Sequence, residues 1–276
     1  MSTSETNNHV TFFEPMMMSP VAIGHQKLTP EEIKSTVEIL ESNGLPLYIE
    51  TDVITNRSGT PLVAHGANTP LSKIRTPHIP TQLRFRLMSD KGLENYNKRH
   101  PHEQISTLEE ILEGFPRVRF ILHLKNNQPE AIAKVLERTN SFANVCAGAM
   151  RGSTLKDLSA TLSKMEKKIA MFISLSDSAI MSAKMYASHI SNNLAIAREH
   201  WNSLGYPTAW NALPQITPNQ VGLLRKILEI PVIATETFTR KPQTTKRFAN
   251  QYSKGLNGLI ADDIESLALA AVKSRC

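Results

Sequence analysis

The 276-residue sequence is 41% hydrophobic and 20% charged, a composition typical of a globular protein with its own core. Its net charge of +6 suits an anionic ligand, but the basic residues are scattered, which argues against a nucleic-acid surface. Its two cysteines, Cys146 and Cys276, imply no disulfide framework. The sequence shows neither a signal peptide nor a transmembrane segment, so we expect a cytoplasmic protein.

The first predicted unit is a short strand followed by a helix. Residues 20–25 form an apolar run that ends on His25. The sequence Thr29-Pro30-Glu31-Glu32 then predicts a helix start, with Thr as N-cap, Pro at the first helical position and acids in the first turn. Gly44 predicts the end of that helix.

The second predicted strand carries two carboxylates. Residues 47–54 alternate with a period of two, and turn residues at 56–59 lead into a returning segment that ends at His65. Glu50 and Asp52 lie two residues apart, so a strand directs both side chains to the same side. Such a pair is costly to bury without a positive partner, which a divalent cation would supply. A solvated face on an edge strand is the alternative interpretation.

Two segments lie outside this regular pattern. Residues 1–19 are predicted to be an N-terminal extension. Residues 66–104 are polar, with no clear periodicity and with several basic residues and histidines. A long insertion of this kind inside a compact domain is more often functional than idle, so we predict a lid or cap.

Alternation of strands and helices resumes at residue 106 and continues to the C-terminal region. A capping box at 106–110 predicts a short helix. We predict strands at 118–125, 144–149, 169–175, 207–213, 231–237 and 258–261, and helices at 129–138, 153–165, 177–203, from 217, 240–252 and 263–273. About eight βα units favour a single α/β domain over residues 20–276, a (β/α)₈ TIM barrel. A doubly wound sheet is the alternative, but no Gly-rich phosphate loop follows the first strand.

In a barrel of this kind, chemistry takes place at the C-terminal ends of the strands. A lone histidine at a strand end is more often structural, but here several polar residues of different strands share one end. The candidates are His25, Glu50, Asp52, His65, His123 and Lys125.

These motifs resemble the glycerophosphodiester phosphodiesterase family. The resemblance rests on His25, the T-P-E-E helix start, the E-T-D strand, T-N-R-S-G-T-P-L-V-A-H, S-T-L-E-E-I-L, H-L-K and the closing G-L-I-A-D. It spans about residues 21–267 and implies the phosphodiesterase TIM barrel, a small anionic phosphodiester substrate and a role in lipid metabolism. The residues it implies are the acid–base pair His25 and His65, the cation ligands Glu50 and Asp52, and the phosphate-binding Lys125.

The chain also departs from the family pattern. Gln26 and Lys27 stand where the family has Arg-Gly, so the family's phosphate-binding arginine is absent unless Lys27 or Arg151 substitutes for it. We predict that Gln26 and Arg151 contribute to substrate binding. His123 occupies the position of a metal-binding carboxylate and becomes the third predicted ligand, while Thr235 stands where a tryptophan is usual. Imidazole suits Mn²⁺, Co²⁺ or Zn²⁺ better than Mg²⁺ or Ca²⁺, and loss of the metal site is the alternative.

The expected function is that of a metal-dependent phosphodiesterase. Its substrate is expected to be a glycerophosphodiester-like or sugar-phosphodiester small molecule, cleaved with one divalent cation and two histidines. A phosphodiester transferase or lyase is the first alternative, because the same residues serve a substrate hydroxyl as nucleophile. A non-catalytic descendant that binds a phosphorylated ligand or a protein partner is the second. The sequence does not determine the oligomeric state.

Overall fold

The computed structural model describes residues 8–25, 29–63, 85–101, 104–174, 176–177, 204, 210–212, 218–228, 230–236 and 243–275. Their strands form one curled sheet, ordered β6-β5-β4-β2-β1-β9-β8-β7, with β3 on β2. The neighbours on this path pair in parallel, and β3 pairs antiparallel with β2 as a hairpin. The strands are β1 Val21–His25, β2 Tyr48–Thr55, β3 Pro61–Val63, β4 Arg119–Leu124, β5 Val145–Ala149, β6 Ala170–Met171, β7 Trp210–Ala212, β8 Val232–Thr235 and β9 Gly258–Ala261.

Helices surround this sheet and confirm the predicted α/β barrel class. They are α1 Asn8–Met18, α2 Pro30–Ser42, α3 Asp90–Arg99, α4 Leu108–Gly114, α5 Pro129–Arg138, α6 Gly152–Lys164, α7 Pro218–Leu228, α8 Thr245–Tyr252 and α9 Ile264–Lys273. The predicted start of α2 is confirmed. Thr29 is the N-cap, Pro30 is the first helical residue, and Thr29 and Glu32 form a reciprocal capping box. In the described part of the chain, no helix has the length and apolarity needed to cross a membrane.

Two predicted elements differ from the structure, and a third lies almost entirely outside the described residues. The strand predicted at 169–175 is confined to Ala170–Met171. The helix predicted from residue 240 begins only at Thr245, because the Thr244 hydroxyl caps it by accepting a hydrogen bond from the backbone N–H of Arg247. The helix predicted at 177–203 lies outside the described residues, apart from Asp177.

The insertion contains a helix that its sequence does not reveal. Ser89 caps α3, whose buried residue is Leu93, so no apolar stripe marks it. Asp90 ties it to the β2–β3 hairpin, since Oδ1 of Asp90 accepts hydrogen bonds of 2.8 Å from Nδ2 of Asn56 and Oγ1 of Thr60. Residues 64–84 and 102–103 lie outside the described part of the insertion.

An apolar cluster sets where this part of the insertion packs. Ile54 is two residues beyond Asp52 and four beyond Glu50, so all three side chains point from the same face of β2. Ile54 packs with Leu62, Phe85, Leu93 and Ile105. The described insertion therefore covers the part of the hairpin that continues the face bearing both carboxylates.

Helix α1 packs against the opposite end of the barrel. Phe12, Phe13 and Met16 join a buried cluster with residues from the first halves of the strands, among them Tyr48 and Ile121. The Tyr48 hydroxyl donates a hydrogen bond to the carbonyl oxygen of Phe12. The predicted N-terminal extension therefore contains a helix that fills the N-terminal end of the barrel. The apolar residues of this segment follow only a weak helical pattern, so its sequence does not reveal the helix.

Replacing Phe12 by alanine is expected to reduce the free energy of unfolding by about 3–5 kcal/mol, as for other fully buried phenylalanines. The Phe12 side chain is fully buried and packs edge-to-face on the rings of Phe13 and Tyr48. Urea unfolding measures the loss. The control is Met18→Ala on the same helix, whose side chain is 83% exposed and whose loss is expected to cost about 0.5 kcal/mol or less. Equal effects of both changes would show that α1 does not contribute to the core.

Candidate active site

Strand register brings four of the predicted site residues to one end of the barrel. His25, the last residue of β1, is paired with Glu50 on β2. Asp52, two residues further along β2, is paired with His123 on β4. Glu50 and Asp52 are buried, with exposed fractions of 7% and 4%, at the C-terminal side of a sheet whose interior is apolar. A solvated strand face, the alternative considered for these carboxylates, is therefore wrong.

The side chains meet within contact or hydrogen-bonding distance. Nε2 of His25 lies 3.1 Å from Oε2 of Glu50. Nδ1 of His123 lies 3.5 Å from Oδ1 of Asp52 and 3.9 Å from Oε1 of Glu50. One ligand atom from each of Glu50, Asp52 and His123 lies within 4.8 Å of the others, which is close enough for all three to hold one cation. The site is compatible with a divalent metal.

Glu50 gives a physical test of whether a cation suits this site. Its Oε2 atom is buried and accepts no hydrogen bond from the described residues, although Nε2 of His25 lies nearby. Burial raises the pKa of Glu50, and the Asp52 carboxylate adds to this effect against the opposing charge of His25. A buried carboxylate oxygen that accepts no hydrogen bond is stabilised by a cation, so this donor set fits a divalent ion.

Lys125 lies between two of these candidate ligands. Its Nζ atom is 2.7 Å from Oδ1 of Asp52 and 2.9 Å from Nδ1 of His123. Burial alone would raise the pKa of Asp52, but its interactions with His123 and with the Lys125 ammonium lower this pKa to about 2. Asp52 is therefore ionised throughout the neutral pH range.

Asp262 belongs to the cluster, and the sequence did not assign it a role. It directly follows β9, the neighbour of β1, and its Oδ1 lies 2.7 Å from Nδ1 of His25. Since an ionised carboxylate only accepts, Nδ1 of His25 donates this hydrogen bond and Nε2 points towards Glu50. The sequence signal for Asp262 was its position after the closing strand β9, because the C-terminal ends of all strands in a barrel face the same mouth.

The Asp262 contact also tunes His25. Burial lowers the pKa of an imidazole, but the hydrogen bond to Asp262 and the charge of Glu50 outweigh it and raise the pKa of His25 above 6.5. We expect Asp262→Asn to lower the His25 pKa in the metal-free protein, because an amide keeps a hydrogen-bond partner but removes the charge. An NMR titration of the imidazole protons measures the change. An unchanged or raised value in the variant would contradict the assigned contact.

The remaining predicted site residues lie outside this cluster or outside the described chain. Arg151 follows β5 at the same end of the barrel as the cluster, and it is the N-cap residue of α6. Its side chain is exposed. Gln26, Lys27 and His65 lie outside the described residues. The substrate-binding role of Gln26 and Arg151 and the catalytic role of His65 therefore stay predictions.

A further carboxylate at this end of the sheet, Glu236, is buried and also lacked a sequence signal. Glu236 follows β8 and Thr235, and its side chain is fully buried. Its Oε2 pairs with the guanidinium of Arg247 at 2.6 Å, and its Oε1 accepts a hydrogen bond of 2.6 Å from Nε2 of Gln251. Both partners lie on α8, so this paired charge anchors that helix to the sheet and needs no ligand.

Comparisons with known proteins agree on the fold. No family model matches the sequence, and no curated protein matches it either. A solved glycerophosphoryl diester phosphodiesterase from Parabacteroides distasonis superposes with a TM-score of 0.62 at 14% identity, covering 96% of this chain and 92% of its own. A glycerophosphodiester phosphodiesterase from Agrobacterium tumefaciens gives 0.61 at 13% identity, covering 90% and 99%.

A third solved structure includes a small molecule. It is a phosphodiesterase from Oleispira antarctica in complex with the product sn-glycerol 3-phosphate, with a TM-score of 0.58 at 17% identity and coverage of 93% and 98%. The class of fold is thus an α/β barrel of the kind seen in these solved phosphodiesterases. The particular resemblance, to glycerophosphodiester phosphodiesterases, is confirmed at the level of the fold and extends over nearly the whole chain.

Proposed function

We propose that this protein is a metal-dependent phosphodiesterase that cleaves a glycerophosphodiester-like or sugar-phosphodiester small molecule. The observation that carries the proposal is the grouping of His25, Glu50, Asp52, His123 and Lys125 at the C-terminal mouth of a phosphodiesterase-type barrel. Two buried carboxylates beside three nitrogen-bearing side chains suit an anionic substrate held with a cation. The crystallised complex of the Oleispira antarctica enzyme with sn-glycerol 3-phosphate supports a substrate of this class.

The metal ligands in this proposal are Glu50, Asp52 and His123. A divalent cation held there would offset the negative charge that builds on the phosphoryl oxygens during attack. Because one ligand is an imidazole, Mn²⁺, Co²⁺ or Zn²⁺ is the proposed ion in preference to Mg²⁺ or Ca²⁺. Lys125 binds a phosphate oxygen from the same side and adds a second positive charge.

His25 transfers a proton through Nε2 in this proposal. Its Nδ1 is committed to Asp262, which fixes the ring and leaves Nε2 facing the buried carboxylates. His65 is the proposed partner. One imidazole takes the proton of the attacking water as the new P–O bond forms, and the other protonates the alcohol oxygen as the old P–O bond breaks. Asp262 acts as a positioning residue through His25.

The insertion is proposed to cover the substrate. Its described part packs on Ile54 and Leu62, on the face of the hairpin that extends the carboxylate-bearing face of β2. A wall in this position limits the size of the group that approaches Asp52. A role in lipid metabolism and a cytoplasmic location are further predictions from the sequence.

The test is turnover of glycerophosphodiesters and sugar phosphodiesters by metal-free protein resupplied with Mn²⁺, Co²⁺, Zn²⁺, Mg²⁺ or Ca²⁺. Release of a phosphomonoester that contains one oxygen from ¹⁸O-labelled water supports hydrolysis. In ³¹P NMR spectra, a cyclic phosphate would instead identify a lyase, and a new diester with another alcohol would identify a transferase. Binding of sn-glycerol 3-phosphate without turnover in any metal would identify a non-catalytic descendant and overturn the proposal.

A further inference from the structure

We propose that Lys125 is an internal cation that competes with the divalent metal for Asp52 and His123, so that a phosphate group which draws Lys125 away increases the affinity of the site for metal. This inference rests on the proposed metal ligands and on phosphate binding by Lys125. It adds a coupling between binding of the metal and binding of the phosphate group, and this coupling follows from the contacts of Lys125.

The first step of the argument is the chemistry of the Lys125–His123 contact. Nζ of Lys125 and Nδ1 of His123 are 2.9 Å apart, which is a hydrogen-bond distance. An ammonium group has three donors and no acceptor, so Nδ1 of His123 accepts this bond with its single lone pair. His123 then carries its ring proton on Nε2.

The second step is that a metal needs the same lone pair. Nδ1 is the atom of His123 that faces Asp52 and Glu50, at 3.5 Å and 3.9 Å. The single lone pair of Nδ1 cannot accept a hydrogen bond from Lys125 and ligate a cation at once. Asp52 is shared too, since its Oδ1 lies 2.7 Å from Nζ of Lys125, although a carboxylate oxygen retains a further lone pair.

The third step is burial. The side chains of Asp52, Lys125 and His123 are 6%, 14% and 19% exposed, so water replaces their mutual contacts poorly. The ammonium group of Lys125 therefore already neutralises the negative charge of Asp52, and a metal ion must displace this ammonium group. An anionic phosphate group offers Lys125 another partner, which frees Nδ1 of His123.

The expected result follows from linkage. Metal and phosphate bind with positive coupling, and each raises the affinity for the other by the same factor. Lys125→Met removes the competitor, so Mn²⁺ binds the variant more tightly than the wild type in the absence of phosphate, by about tenfold within the usual range of couplings between sites. The variant also loses the part of the phosphate effect that Lys125 mediates.

The experiment is calorimetric titration of Mn²⁺ into the metal-free full chain, at one pH, with and without saturating inorganic phosphate. Wild type, Lys125→Met and the control Lys156→Met are compared, because Lys156 lies exposed on α6 and its removal changes the net charge equally. Tighter Mn²⁺ binding in Lys125→Met alone, with a smaller phosphate effect, supports the proposal. Unchanged or weaker Mn²⁺ binding in Lys125→Met overturns it, as does an equal gain in Lys156→Met.

Two further readings keep the result interpretable. The ¹⁵N shifts of His123 in metal-free wild type report its tautomer without any substitution, and a proton on Nδ1 overturns the proposal even if Lys125→Met does not fold. If no form of the protein binds Mn²⁺, the proposed metal site and this inference both fail. If Mn²⁺ binds wild type and supports turnover while Lys125→Met shows no gain, only the inference fails.

Discussion

Replacing His25 by alanine is expected to lower the rate of phosphodiester cleavage by about 10²- to 10⁴-fold, the usual range for losing a positioned acid or base. His25 is the last residue of β1, and its Nδ1–H is held by Asp262 while Nε2 lies 3.1 Å from Glu50. His25 is not a member of the apolar clusters of the barrel. Turnover should therefore fall far more than the affinity for sn-glycerol 3-phosphate.

The measurement is kcat with each substrate, compared with the binding constant of the phosphomonoester. His65→Ala is expected to act in the same way, whereas the control His100→Ala should leave turnover unchanged, because His100 stacks on Tyr96 in the insertion. Wild-type turnover in both His25→Ala and His65→Ala would show that the proposed acid–base pair is structural. Parallel loss of binding and turnover would instead assign His25 to substrate binding.

Changing His123 to glutamate is expected to move the metal preference of the site from Mn²⁺, Co²⁺ or Zn²⁺ towards Mg²⁺ or Ca²⁺. With Glu50 and Asp52, the native ligand set has two carboxylates and one imidazole, which is roughly neutral around a divalent ion. A third carboxylate makes the set more negative and supplies a hard oxygen ligand, which Mg²⁺ and Ca²⁺ prefer. The side chain of His123 is 19% exposed, and glutamate is no larger than histidine, so the acid fits at the mouth.

Titration of each ion into metal-free protein measures this shift. His100→Glu is the matched control, since it makes the same substitution in the insertion, away from the candidate ligands. An unchanged order of affinities in His123→Glu would exclude His123 as a ligand. If wild type binds no divalent ion and His123→Glu does, the native protein is a metal-free relative and the binding-protein alternative gains support.

Local patterns in the sequence were sufficient to predict the class of fold and the strand ends that carry the candidate site residues. Period-two patterns in strands such as β2, capping residues such as Thr29 and Thr107, and the spacing of the βα units are local signals, and each reflects the conformation of a few neighbouring residues. Alternation of side chains along a strand is local too, so Glu50 and Asp52 could be assigned to one side of their strand. His123 and Lys125 could be assigned in the same way. The order of neighbouring strands could then be inferred from the barrel topology alone.

The partners of these residues, by contrast, depend on the tertiary structure. Asp262 is 237 positions from His25 in the chain, and no local pattern indicates that their side chains lie 2.7 Å apart. Helix α1 fills the barrel end because the inward-facing side chains of several strands together form the cluster that receives Phe12. Lys125 likewise contacts Asp52 through the register of β2 and β4. Contacts between distant segments depend on packing and register, which the sequence encodes only through the whole fold.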